Sequence, residues 1–395
     1  MGLIDELRKN DKKNLFTSDD LDNVSFKTGF KILDYANGYW KAIKDEKTNT
    51  TSYYPMVGIP RGSLCSIIGE TGGGKSTLAT QMGWNIVKDF DNGLLFIIDC
   101  EKSHLRDRIA RLTHTDIDEP RITLNKSHTT IEEVLMMFNS ICDLKANGGT
   151  EYMYEIKLNN DSKKGSVWQY IPTVFIVDSL PKFNSSEYNA EDLGTNMDQA
   201  RAAKDITRFV NNILDKSWKY NIIWLFINHI RPKLTTNVFT GSSPRELLVL
   251  NGATETLPRG AAVQYLSNIY YRIRTGKKDI YTIETDGFTG AKCQVQIAKS
   301  RTNVVGTSYP LTFNYYSGFD PIMTEYEYAK SLDLITGKSP FLYFRSNPDM
   351  KFSKRTFVEK YHQDEEFRKV VDDALAPHYY SLLGDLPENA VFEPY

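Results

Sequence analysis

Gly69-Glu70-Thr71-Gly72-Gly73-Gly74-Lys75-Ser76-Thr77 is the stretch whose reading decides the fold. It fits the pattern G-x-x-x-x-G-K-[ST] at every fixed position. A loop that wraps phosphates needs glycines. They reach backbone angles that other residues avoid, and they let amide N–H groups come close to the anion. In such a loop Lys75 contacts the β- and γ-phosphates and the Ser76 hydroxyl sits on Mg²⁺. The helix that follows points its positive end at the same anion. The flanks agree with this reading. Leu64-Cys65-Ser66-Ile67-Ile68 is a short, mostly apolar run before the loop, and Thr77 to Val87 reads as a helix after it.

Working outward, the apolar run Leu94-Leu95-Phe96-Ile97-Ile98 ends in Asp99-Cys100-Glu101. Ile122-Thr123-Leu124 is a further short strand. Ile131, Val134, Leu135, Phe138, Ile141 and Cys142 recur at helical spacing, which predicts a helix over 130–145. Residues 146–170 suggest an inserted surface hairpin. The core resumes with Thr173-Val174-Phe175-Ile176-Val177-Asp178. A long helix carrying Ile206, Phe209, Val210, Ile213 and Leu214 follows, and then the strand Ile222 to Ile227. Continuous apolar strands alternating with helices imply a parallel sheet covered on both faces. Strands over Ile269–Arg274, Ile280–Thr285 and Lys292–Ala298 are expected to extend it in antiparallel fashion. The expected class is α/β with a mostly parallel central sheet, an antiparallel extension and a small helical C-terminal domain. The expected boundaries are an N-terminal segment 1–55 that serves as an oligomerisation arm, a core 56–322 and a C-terminal domain 323–395. In the first segment Ile4, Leu7 and Leu15 share one side of a short helix, and Phe30 to Tyr35 make a second amphipathic piece. Lys44 to Ser52 is hydrophilic and expected to be mobile.

A net charge of −2 excludes a wholly basic nucleic-acid binder, so any DNA contact must use a local basic surface. Cys65, Cys100, Cys142 and Cys293 form no C-x-x-C pair, and Cys65 and Cys100, in or beside apolar strands, read as reduced core thiols. No secretory leader or long apolar span appears, which points to a cytoplasmic protein with no membrane partner.

Asp178 closes an apolar strand after the loop, the place for a carboxylate in the Mg²⁺ shell beside a nucleotide. Glu101 ends the neighbouring strand, and strand C-termini line the ligand crevice of open α/β sheets. A carboxylate there can orient and polarise the water that attacks a γ-phosphate. Lys299 and Arg301 follow a strand two residues apart, so both project to one side. Two long segments carry cations near these strand ends. Pro181 to Gln199 leads to Arg201. Arg231 to Gly260 carries Arg231, Lys233, Arg245 and Arg259, with Phe239. Such long loops are commonly functional.

Taken together, Gly69–Thr77, Ile98-Asp99-Cys100-Glu101, Val177-Asp178-Ser179 and Ile227-Asn228-His229 resemble the RecA-type recombinase ATPases. Ile297-Ala298-Lys299-Ser300-Arg301-Thr302, followed by Tyr309 to Asp320, is similar to the strand-exchange recombinases of T4-type bacteriophages (UvsX-like). The resemblance covers roughly residues 55–320. It implies a RecA-like P-loop core that binds ATP and Mg²⁺ and hydrolyses ATP in response to DNA. It places His229 where the family senses the γ-phosphate, although bacterial RecA has a glutamine there. It has Lys299 and Arg301 reach the ATP of an adjacent subunit, and it has the two long loops hold single-stranded DNA. It sets Tyr315 or Tyr316 near the adenine, with core or interface packing as an equal alternative. The implied partners are single-stranded DNA, homologous duplex, further copies of the chain in a helical filament, a single-strand-binding protein and a loading mediator. The implied function is DNA strand exchange in recombination, repair and recombination-dependent replication. A hexameric DnaB-like helicase and a regulatory ATPase of the same fold stand as alternatives.

Overall fold

The computed structural model describes residues 24–44, 48–157, 166–186, 196–232, 255–258, 261–393 and 395. The apolar runs of the sequence become a nine-stranded sheet. Its strands are β1 (Leu64–Gly69), β2 (Leu94–Asp99), β3 (Ile122–Asn125), β4 (Thr173–Asp178), β5 (Ile222–His229), β6 (Ile269–Tyr281), β7 (Gly290–Ser300), β8 (Ser308–Asn314) and β9 (Gly318–Asp320). The helices used below are α1 (Lys31–Ala36), α2 (Lys75–Val87), α3 (Arg106–Thr113), α4 (Ile131–Asn147), α5 (Asn196–Tyr220), α6 (Ala261–Leu266), α7 (Pro321–Ser331), α8 (Phe357–Gln363) and α9 (Glu365–Ser381). Across the sheet the order is β9-β8-β7-β6-β1-β5-β4-β2-β3. Neighbours from β6 to β3 run parallel, and β7, β8 and β9 extend the sheet in antiparallel fashion. The fold is mixed α/β with a large, mostly parallel central sheet.

Strands β1, β2, β4 and β5 are mostly apolar because both of their faces are covered. Cys65, Ile67, Leu95, Ile97, Val174, Ile176, Leu225 and Ile227 turn to one face and join Leu78, Met82 and Ile86 of α2. The alternate residues Leu64, Ile98, Phe175, Val177, Trp224 and Phe226 turn to the other and join Val134 and Phe138 of α4 and Phe209 and Val210 of α5. Helix α2 lies close on the sheet at Gly83, where a Cβ would stand 2.8 Å from Leu95 Cδ1. That contact fixes where the N-terminus of α2, and the loop before it, meets the strand ends.

Several expectations are corrected. The two strands expected over 269–274 and 280–285 are one strand, Ile269–Tyr281, and its first part pairs parallel with β1 rather than belonging to the antiparallel extension. Pairing with β7 shifts between Thr275 and Ile280 and then resumes at Ile280↔Ala291, so the strand absorbs the irregularity around Gly276. Ile283–Asp286 is a helical turn, with the Thr282 N–H donating to Asp286 Oδ2 at 3.0 Å. The C-terminal segment is not purely helical. Between α7 and α8 it carries an antiparallel sheet of Ile335–Lys338, Phe341–Phe344 and Asn347–Phe352. Its buried Phe344, Phe352, Phe357, Phe367 and Leu375 belong to the same apolar cluster as Ile67 and Leu78 of the central layers. The ends of the hydrophilic stretch, Lys44, Thr51 and Ser52, lie in the hairpin Tyr39–Lys44/Thr51–Met56. The expected hairpin within 146–170 is present as Met153–Lys157 paired with Ser166–Tyr170. The helix expected around Ile4, Leu7 and Leu15 lies outside the described residues. Among the described residues no helix is long and apolar enough to cross a membrane.

Candidate functional site

Parallel pairing in register brings the carboxyl ends of the strands to one edge. Asp178 of β4 lies opposite Asp99 of β2, and His229 of β5 lies opposite Gly69 of β1. The glycine-rich loop therefore leaves the sheet beside the residues that follow β2, β4 and β5. Within the loop Gly72 and Gly74 have φ values of 79° and 84°, the left-handed region that favours glycine. Gly74 is the N-cap of α2 and has no side chain with which to cap it, so the first amides of the helix are open to an external acceptor.

Lys75, the first residue of α2, is buried, and its Nζ donates to the Glu70 carbonyl at 2.7 Å. Burial pushes the ammonium below its usual range, against the pull of Asp178, Glu101 and Glu70. A buried cation held mainly by a carbonyl gains when an anion enters beside it. Ser76 Oγ donates to Asp178 Oδ2. The same oxygen is met by His104 Nε2 at 2.9 Å. Burial works against the charge of Asp178, yet the hydrogen bond and charge of His104, then Ser76 and His229, hold its carboxyl below the usual carboxylate range. The Asp178 carbonyl accepts from the Cys100 and Glu101 amides at 2.7 and 3.3 Å, which ties the turn after β2 to the end of β4.

Glu101 is the hub on the other side. Its Oε1 accepts from Ser179 Oγ at 2.6 Å and meets His229 Nε2 at 3.2 Å. Burial and then Lys75 push His229 below the usual histidine range, against Glu101 and Asp178. Its Nε2 faces the carboxylate, which can only accept, and its buried Nδ1 has no hydrogen-bond partner among the described residues. One donor atom from each of Glu101, Asp178 and His229 lies within 4.8 Å of the others. Ser76 and Asp178 together offer a hydroxyl and a carboxylate, the hard oxygen donors that Mg²⁺ takes. Oδ1 of Asp178 accepts no hydrogen bond among the described residues, so the donor set fits such a cation.

The sequence-read residues fall into three groups. Lys75, Ser76, Glu101, Asp178 and His229 come together. Thr77 is buried behind the loop and accepts from Arg108 Nη2 at 3.3 Å. Lys299 and Arg301 lie apart from this cluster but do project to one side. Lys299 Nζ donates to the Gln264 and Tyr265 carbonyls at 2.8 Å, and Arg301 Nη2 to those of Tyr265 and Leu266 at 3.3 Å. Both cations thus sit on the C-terminal end of α6, where a helix favours positive charge. Of the expected DNA contacts, Arg201 is exposed on α5, and the backbone of Arg231 pairs with Thr256. Lys233, Arg245, Arg259 and Phe239 lie outside the described residues. The base of that loop is closed by the Arg231↔Thr256 and Pro232↔Glu255 pairs and by Asn228 Nδ2 donating to the Pro258 carbonyl at 3.0 Å. Tyr315 and Tyr316 are not core residues; they are 47% and 67% exposed, with Arg111 stacked on Tyr316 at 4.6 Å.

Sequence reasoning missed His104 and did not give Ser179 its contact with Glu101. His104 lies in a turn with no periodic pattern, and its partner is 74 residues away. No protein-family model matches the chain, and a search of curated proteins finds no match to it either.

Proposed function

We propose that the chain is a DNA-dependent ATPase of the RecA-like type, acting as a strand-exchange recombinase that assembles on single-stranded DNA and pairs it with homologous duplex. The observation that carries this reading is the convergence of Lys75, Ser76, Asp178, Glu101 and His229 at one sheet edge, with His229 opening the long segment 231–260. The loop amides and Lys75 bind the phosphates of ATP. Ser76 and Asp178 would hold Mg²⁺, which would supply positive charge beside the phosphates. Glu101, held by Ser179 and His229, orients the attacking water and accepts its proton as the water oxygen bonds to phosphorus. The bond from the γ-phosphorus to the bridging oxygen breaks, and that oxygen leaves with ADP.

On this reading the same contacts would couple DNA to hydrolysis. His229 touches Glu101, while its neighbour Asn228 pins Pro258 at the far end of the loop. The chain then enters α6, whose last carbonyls hold Lys299 and Arg301. DNA held by the loop would bias both ends of this path. In a polymer the two cations would face the phosphates of a neighbouring copy and stabilise charge as an arginine finger does. The reading is tested by D-loop formation between homologous DNAs with ATP. Homology-dependent joints support it. Duplex unwinding without joints would favour a helicase, and hydrolysis indifferent to DNA a regulatory ATPase.

A further inference from the structure

We infer that His104 is a positioning residue that decides which oxygen of Asp178 faces the cation; this rests on the reading of Asp178 as an Mg²⁺ ligand. A free carboxylate can meet a metal through either oxygen or both. Here the choice is made by the protein. His104 Nε2 lies 2.9 Å from Oδ2. A carboxylate only accepts, so Nε2 carries the proton and donates it. Ser76 reaches the same oxygen. Oδ2 is thus occupied by protein donors, and Oδ1 is left to project toward a cation.

The ring is held firmly enough to impose that choice. His104 is 9% exposed. Its backbone N–H donates to Asp99 Oδ2 at 2.9 Å, and the Ser103 N–H donates to Asp99 Oδ1 at 3.1 Å. Asp99 is fully buried at the end of β2, so the turn that carries His104 is anchored in the sheet. Partners that orient a metal ligand in this way typically change metal affinity by about 10–100-fold when removed.

The test uses the full chain and a fluorescent ATP analogue, and reads the Mg²⁺ concentration that half-saturates nucleotide binding. His104→Phe keeps the ring and removes the donor. His104→Gln returns an N–H near the position of Nε2. Half-saturation is expected to rise about 10–100-fold in His104→Phe and to recover most of the way in His104→Gln. Binding measured with Mg²⁺ chelated is expected to match the parent in both, which a general packing defect would not allow. Asp178→Asn is the control for the underlying reading. If it leaves Mg²⁺ dependence unchanged, the metal reading of Asp178 falls. If it shifts Mg²⁺ dependence while His104→Phe does not, or if His104→Gln shifts it as far as His104→Phe, the positioning role is overturned.

Discussion

Glu101 gives the sharpest chemical test. Its Oε1 accepts from Ser179 Oγ at 2.6 Å and from His229 at 3.2 Å. Glu101→Gln keeps an oxygen in that place and so keeps both contacts, but it removes the charge proposed to take a proton from water. General-base loss lowers a rate by about 10²–10⁴-fold, equivalent to about 2.7–5.5 kcal/mol of barrier. Ser179→Ala is the graded companion. It deletes one hydrogen bond to an ionised acceptor, worth about 1.5–3 kcal/mol. If all of that were felt in the transition state, the rate would fall by about 10–150-fold at most. The expected order of turnover is therefore parent, then Ser179→Ala, then Glu101→Gln. Phosphate release at saturating ATP and Mg²⁺, with nucleotide binding followed in parallel, reads both quantities. Unchanged nucleotide affinity is expected in both variants. Glu101→Gln turning over at more than about a tenth of the parent rate would refute its role as the base.

Four further outcomes follow from the same contacts. Lys75→Ala is expected to abolish nucleotide-dependent binding to single-stranded DNA, read by fluorescence anisotropy; binding that persists would contradict the assignment of the loop. Mixtures of Lys75→Ala with Lys299→Ala or Arg301→Ala are expected to recover part of the hydrolysis that each lacks, since one intact interface can form between unlike copies; no recovery at any ratio would place the two cations outside the shared site. Lys145 is buried, donates to the Ile171 and Tyr220 carbonyls, and is pushed by burial down to about 7. Between that value and the free-lysine range of about 10.4 the unfolded chain binds more protons than the folded one, so stability rises with pH across this window. Chemical denaturation of Lys145→Met is expected to lack that rise, and an identical pH profile would rule the effect out. Trp224 is fully buried, stacks on Phe175 at a centroid distance of 4.5 Å and donates to Ser217 Oγ at 2.9 Å. Trp224→Ala is expected to lower unfolding free energy by about 3–5 kcal/mol, measured by denaturant titration.

Strands β1, β2, β4 and β5 were legible because each is a mostly apolar run ended by a chemically distinct residue, whereas β6, with Arg272 and Arg274 in its run, read as part of the antiparallel extension. Glycine pattern, Lys75 and Ser76 are local in sequence, and Asp178 and Glu101 could be read from strand ends alone. What was not legible depends on tertiary packing. His104 reaches Asp178 only because Asp99 anchors the turn between them. Lys299 and Arg301 read as a cationic pair, but their acceptors belong to a short helix on the far side of a long loop. The C-terminal sheet escaped notice because strands such as Ile335–Lys338 are four residues long, include Gly337 and alternate weakly. The aromatic residues Phe344, Phe352, Phe357 and Phe367 of the C-terminal segment join the same apolar cluster as the central layers.

Electron microscopy of the full chain on single-stranded DNA, with Mg²⁺ and a non-hydrolysable ATP analogue, tests the central claim most directly. An open helical filament that forms only with nucleotide and is lost in Lys75→Ala is the expected result. Closed rings, or no DNA-bound assembly under conditions where nucleotide binding is saturated, would contradict it.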